Sequence, residues 1–175
     1  VSPGVSKDIY ARIIDTVHDC GGKAILDADG DLFAFGIKSR PDVIKPNAFE
    51  LGQYFQLGYE PEAEESIELA KKLLNDRTRL VVISRGSKGS IFVTNEAGYA
   101  ADALKIDFHS AVGAGDAMVT GLARALNEGM SLEDTIDLAV ALSAGACMTI
   151  GTCPADPEVV EELKKKVKKE KVYES

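Results

Sequence analysis

Val5, Ile9, Ile13 and Val17 recur at helical spacing, which predicts an amphipathic helix behind Ser6, a residue able to cap it. Gly21-Gly22 ends that run, and "KAILDAD" reads as a short strand. A brief helix over residues 31–38 follows, then a buried strand "DVIKP" ended by Pro46. Asn47 is placed to cap the next helix, "AFELGQYFQL". "PEAEESIELAKKLLND" predicts another, with its acids first and its lysines last, as the helix dipole favours. "RLVVIS" is the strongest strand in the chain.

The period then changes. "GSIFVTNEAGYAADAL" alternates and turns at residues 95–98, which predicts a hairpin on the sheet edge. A glycine-rich turn comes next, followed by helices over residues 114–128 and 132–150 and a terminal helix from residue 156. The tail "EELKKKVKKEKVYES" reads as a solvated helix end, with residues 171–175 fraying. Strands and helices alternate, and the strands are nearly continuous in apolar residues. That pattern predicts an α/β fold with a mostly parallel sheet covered on both faces. No linker interrupts it, so residues 1–170 read as one domain.

Composition narrows the function. The 175 residues carry 20 Lys and Arg against 28 Asp and Glu, a formal charge of −8. A general nucleic-acid binder needs a basic face and is disfavoured. A phosphorylated small molecule remains compatible, because a pocket can be positive on an acidic surface. The three cysteines lack C-x-x-C spacing, which argues against a zinc site and a disulfide framework and for a reduced cytoplasm. The apolar run from Leu138 to Ile150 is too short to span a bilayer, so no membrane role is expected. "VSPGVSKDIY" has no initiator Met and reads as a loop entering a helix, so the chain is expected to be a piece of a longer protein.

In parallel α/β sheets, ligands sit beyond the carboxyl ends of the strands. Three polar clusters fall there: Lys45-Pro46-Asn47 with Glu50, Ser84-Arg85-Gly86 with Gly89, and Gly113 to Asp116. Gly113-Ala114-Gly115 can present successive backbone N–H groups to an anion at a helix N-terminus, with Asp116 within reach of an attacking hydroxyl. The same residues also make a simple strand-to-helix turn. Asn47 and Glu50 form N-x-x-E, either a capping box or a holder of hydrated Mg²⁺. Ser84, Gly86 and Gly89 allow a tight turn as well as a ligand contact, and Lys45 could be a solvent residue at a strand end. His18 and His109 have no partner at ligand spacing, and Asp27 and Asp29 are rim residues without an assigned use.

"GAGD" opening a helix, "KPNAFEL" after a strand and "VVISRGSKGSIFV" between them resemble the ribokinase-like carbohydrate kinases, the PfkB family. The resemblance runs from Pro3 to about Leu163 and is nearest the branch containing 1-phosphofructokinase and tagatose-6-phosphate kinase. It implies a three-layer αβα ribokinase-like fold, with Asp116 as catalytic base and Gly113, Ala114 and Gly115 as anion hole. Asn47 and Glu50 would govern Mg²⁺ and nucleotide phosphates, with Glu50 at the metal; Lys45 would join the nucleotide site, Ser84, Gly86 and Gly89 would touch the nucleotide, and Ala144 and Gly145 would pack around adenine. The implied reaction is ATP-dependent phosphorylation of a phosphorylated ketohexose. Fructose 1-phosphate is the first choice, with tagatose 6-phosphate and fructose 6-phosphate behind it. A non-catalytic nucleotide-binding module and a structural or regulatory α/β protein are the rival readings.

Two residues depart from the pattern: Ala111 where a Thr is common, and Arg85 where relatives usually carry an apolar residue. The family's N-terminal portion, with its sugar contacts and a β-sheet lid that often forms a dimer, is not in this sequence. A homodimer is therefore an expectation for the full-length protein, and the isolated chain is expected to be inactive.

Overall fold

The computed structural model describes residues 4–151 and 153–174. The elements run α1 (Ile9–Asp19), β1 (Ile25–Leu26), α2 (Gly30–Lys38), β2 (Val43–Ile44), α3 (Ala48–Tyr54), α4 (Ala63–Lys71) and β3 (Leu80–Ser84). A single 3₁₀ turn (Gly86–Lys88) leads into β4 (Ser90–Val93) and β5 (Ala97–Ala101). α5 (Ala114–Glu128), α6 (Leu132–Cys147), α7 (Pro157–Lys164) and β6 (Lys169–Glu174) complete the chain. The strands form one six-stranded sheet in the order β1-β2-β3-β4-β5-β6. β1, β2 and β3 are parallel, with Leu26 opposite Ile44 and Ile44 opposite Val81.

Val81, Val82 and Ile83 are all fully buried. Consecutive strand residues point to opposite faces, so this run requires cover on both sides of the sheet, as its unbroken apolar sequence predicts. The α/β expectation holds, and so do most of the helices: α5 spans the expected residues, Asn47 caps α3, and Asp156 caps α7 with Pro157 in the first turn.

Several local expectations are corrected, among them α3, which ends at Tyr54, short of its expected run. Ser6 does not cap α1; the helix begins at Ile9 behind Asp8, and the Ser6 hydroxyl binds the Asp8 carboxylate instead. α4 stops at Lys71 and α6 at Cys147, each short of its apolar run. The β4–β5 hairpin turns where expected, with Thr94 N–H donating to Ala97 O at 3.0 Å, but it is not the sheet edge.

β6 lies beyond it, formed by the tail read as a fraying helix end; residues 171–174 are strand. Its charged residues masked the signal that matters, an aromatic on a strand. Tyr173 lies over Gly98, where a Cβ would come within 2.1 Å of the ring, and its hydroxyl donates to Thr94 O. Ser175 lies outside the described residues.

Contacts divide the chain into two compact units. One is built from the chain up to Arg85, Ile91–Gly98 and the residues from Val172; the other from Gly86–Ser90 and Tyr99–Lys171. Leu26, Phe33, Ile44, Leu51, Val81 and Ile83 are central to the first unit's core. In the second, Leu138, Ala141, Val160 and Leu163 join α6 to α7. α5 approaches α6 closely at Gly121, where a Cβ would lie 2.8 Å from Ala139 Cα. Among the described residues, no helix is long and apolar enough to cross a membrane.

Candidate functional site

The first unit gathers Lys45, Asn47, Glu50 and Ser84 at the carboxyl ends of β1, β2 and β3. Pro46 restricts Lys45 to extended backbone, which carries the chain straight out of β2. Asn47 then turns it into α3. Its side chain accepts from Glu50 N–H at 2.8 Å, while Glu50 Oε2 accepts from Asn47 N–H at 2.8 Å. The capping box is therefore complete. Ser84 joins this rim from β3: it pairs with Asn47 as an isolated parallel bridge, and its N–H donates to Pro46 O at 3.1 Å.

Lys45 is not a solvent residue. It is 5% exposed, and its Nζ lies 3.2 Å from Asp27 Oδ1, on the neighbouring strand end. Burial pushes the Glu50 carboxyl above the usual carboxylate range; the Asn47 N–H and Lys45 pull it down, and Asp27 and Asp29 push it up again. With Oε2 held by the capping box, Oε1 is the Glu50 oxygen left for another partner. Among the described residues, no group of three His, Cys, Asp or Glu side chains could enclose a metal ion. Glu50 thus fits a role at a hydrated Mg²⁺, held through water, and not one in an all-protein cage.

Arg85 turns away to Glu62, with Nη2 3.1 Å from Oε2, and leaves its buried Nε without a partner. Gly86 and Gly89, at the start of the second unit, have φ of 56° and 86°. Gly89 has a structural reason as well, since a Cβ there would lie 2.0 Å from Ala101 O.

The second unit holds the helix N-terminus that the glycines precede. Gly113 takes φ 83° and stands at the N-cap of α5. Ala114 N–H is not open to a ligand, because it donates to Ala111 O at 3.2 Å. The first N–H committed along the helix axis is that of Ala117, to Gly113 O at 2.9 Å. Gly113, Gly115 and Asp116 therefore carry the N–H donors left open at this helix start among the described residues. Of the expected Gly113-Ala114-Gly115 run, only the Ala114 N–H is taken within the turn.

Asp116 is exposed, and among the described residues its carboxylate has no hydrogen bond or ion pair. A pocket of about 240 Å³ opens beside it, walled by Gly113, Asp116 and Thr120 on one side and by Leu142, Ala146 and Pro154 on the other. Thr120 donates its hydroxyl to Asp116 O at 2.9 Å. Ala144 and Gly145 do not line this pocket. Gly145 faces Ala155, 2.7 Å from where its Cβ would be, and Ala144 packs on the α6–α7 core. The lining residues missed from sequence, Leu142 and Ala146, lie one helical turn apart and next to the two named; only the phase of the small-residue stripe distinguishes them. His18 pairs with Asp42 at 3.1 Å, and His109 is exposed with its N–H on Cys147 O, so neither joins the site.

Residues 1–159 match the pfkB family carbohydrate kinase pattern. The chain belongs to that family. It is 34% identical over 165 residues to a 1-phosphofructokinase of Rhodobacter capsulatus and 32% identical over 166 residues to one of Haemophilus influenzae. Each match covers 94% of this chain and 52% of the relative, so the chain spans about half the length of the curated relatives it matches. An ATP-dependent 6-phosphofructokinase isozyme 2 of Mycobacterium tuberculosis is 30% identical over 161 residues, covering 92% of this chain and 47% of the relative. Among solved structures, phosphofructokinase-2 of Escherichia coli in complex with substrates and products superposes with a TM-score of 0.84 at 24% identity, over 95% of this chain and 54% of that one. That likeness supports the ribokinase-like pfkB fold.

Proposed function

We propose that the full-length protein to which this chain belongs is a kinase that moves the γ-phosphoryl group of ATP to a hydroxyl of a phosphorylated ketohexose, fructose 1-phosphate first among them. The observation that carries this reading is an unpartnered carboxylate, Asp116, in the same helical turn as open backbone donors and on the wall of a pocket. A plain helix start accounts for the open donors and the acidic residue, and the pocket beside them is what favours the catalytic reading.

In this reading, Asp116 accepts the proton of the attacking hydroxyl and orients its oxygen toward the γ-phosphorus. The new O–P bond forms as the bond to the bridging β,γ-oxygen breaks, releasing ADP. Charge spreads over the equatorial oxygens of the moving group, and the Gly115 and Asp116 N–H groups meet it with fixed dipoles. A loose transition state requires little deprotonation early, so a carboxylate suffices as base. Lys45, Asn47, Glu50 and Ser84 hold the nucleotide's phosphates, and Mg²⁺ supplies neutralising charge there when bound. Leu142, Ala146 and Pro154 give the pocket beside Asp116 an apolar wall, which strengthens the contacts that Asp116 and its neighbouring N–H groups make there.

The preference for fructose 1-phosphate follows the names of the relatives above 30% identity, and the 6-phosphofructokinase at 30% keeps fructose 6-phosphate in the trial set. In isolation the chain is expected to bind ATP weakly and to turn over no sugar, because catalysis depends on holding the acceptor in line with the γ-phosphate. The test is a coupled ADP-release assay of the full-length protein with ATP, Mg²⁺ and each of fructose 1-phosphate, tagatose 6-phosphate and fructose 6-phosphate. Turnover with one of them is the expected result. No turnover with any of the three, by protein that still binds ATP, would favour a non-catalytic nucleotide-binding role.

A further inference from the structure

Asp27 carries no role in the reading above, yet it lies against one of the most deeply buried charges in the first unit. Parallel pairing sets Leu26 opposite Ile44, so Asp27 and Lys45 are the next residues in step as β1 and β2 leave the sheet. Lys45 N–H donates to Leu26 O at 2.9 Å, which keeps them in step past the last paired residues. The Lys45 backbone is then pinned on its other side by Pro46 and the capped start of α3.

Only the side chain is left to choose a direction, and it stays against the protein with little of it in water. Lys45 is 5% exposed, whereas lysine ordinarily extends its ammonium into solvent. An ammonium with so little access to water favours a nearby counter-charge, and its ion pair is with Asp27, at 3.2 Å and itself one-third exposed. An ammonium has three donors. Asp27 Oδ1 supplies the counter-charge at 3.2 Å, and among the described residues no hydrogen bond of Nζ is seen. A buried cation with spare donors, at the strand ends where ligands of such sheets sit, suits a further anionic oxygen.

We propose that Asp27 is a positioning residue: through its contact with Nζ it holds the Lys45 ammonium on the rim, where that ammonium meets a phosphate oxygen of the bound nucleotide. The inference rests on the kinase reading for its ligand and adds the residue that aims the cation. Without Asp27, the four-carbon stem of Lys45 has no fixed end, and the ammonium escapes toward solvent. Loss of a partner that orients a metal ligand costs about 10- to 100-fold in metal affinity, and the lower end of that scale is expected for a lysine oriented toward phosphate.

The test uses the full-length protein, with the dissociation constant of MgATP measured by calorimetry for wild type, Asp27→Asn, Lys45→Met and the double variant. Asp27→Asn is expected to weaken MgATP by about ten-fold or more, with no further loss when added to Lys45→Met. Acylation of Lys45 by acetic acid N-hydroxysuccinimide ester, followed by mass spectrometry, gives a readout that a merely structural pair does not move. Lys45 should be modified faster in Asp27→Asn than in wild type, and MgATP should protect the wild-type residue. If Asp27→Asn fails to fold, Asp27→Glu, which keeps the charge and moves it by one methylene, is expected to weaken MgATP in the same direction. Unchanged MgATP affinity in a folded Asp27 variant, or an equal further loss in the Lys45→Met background, overturns the positioning role while turnover of wild type leaves the kinase reading standing. Wild-type protein that neither binds MgATP nor turns over sugar overturns both.

Discussion

Replacing Asn47 by alanine separates the two roles that N-x-x-E can play, and the structure sets the size of the effect. The substitution removes the acceptor for Glu50 N–H, a 2.8 Å bond at the N-terminus of a helix only seven residues long. The reciprocal bond, from Asn47 N–H to Glu50 Oε2, runs through the backbone and survives. Loss of an N-cap acceptor costs about 0.5–2 kcal/mol. Both cap residues are half-buried, so water replaces the lost acceptor poorly, and the upper half of that range, about 1–2 kcal/mol, is expected.

Glu50→Gln differs. Glutamine also completes a capping box, so the loss should stay below about 0.5 kcal/mol. Urea unfolding of the full-length protein, with ΔΔG taken from midpoint shifts at constant m-value, measures both. Magnesium titration of the rate then finds the functional half: Glu50→Gln should need more Mg²⁺ while remaining nearly as stable as wild type. Equal destabilisation by the two substitutions, with an unchanged metal requirement, would refute the reasoning and leave Glu50 a cap alone.

Three further outcomes are expected. Burial raises the Glu50 pKa, so the folded state holds that proton more tightly than the unfolded chain; wild type should lose stability relative to Glu50→Gln as pH rises from below the ordinary carboxylate range through the raised value, and a flat or opposite slope in paired urea titrations would contradict this. Gly121→Ala should destabilise by roughly 1 kcal/mol in chemical denaturation, because overpacking against the Ala139 backbone, at about 1–3 kcal/mol, outweighs the ~1 kcal/mol gain in helix propensity; a stabilised variant would mean that α5 and α6 separate easily. Tyr173→Ala should cost roughly 2 kcal/mol by the same assay, since the ring covers Gly98 and its hydroxyl serves Thr94 O, whereas a fraying tail would lose nothing.

The features legible from sequence were those in which one local signal decides the outcome. Val81, Val82 and Ile83 declared a doubly covered strand, Asn47 and Glu50 a capping box, and Gly113 the left-handed entry to α5. What escaped was non-local. Nothing adjacent in sequence reveals that Lys45 is buried against Asp27, because their meeting depends on parallel pairing of β1 with β2. β6 was hidden because its six residues hold four charges, and the partner that makes it a strand is the β5 edge. The capture of Ala114 N–H by Ala111 O is a turn detail that composition does not encode, and it removes one donor from the expected run. Gly145 looked like a ligand contact by position, and its tight approach is to Ala155.

Turnover of Asp116→Asn in the full-length protein tests the central claim most directly. The substitution keeps the size and the backbone donors of the first turn of α5 and removes only the proton acceptor. With ATP and the preferred ketohexose phosphate, kcat should fall by about 10²-fold or more, while the dissociation constant for ATP, measured by calorimetry, stays within about three-fold of wild type. A variant that turns over at the wild-type rate would contradict the assignment of Asp116 as the base.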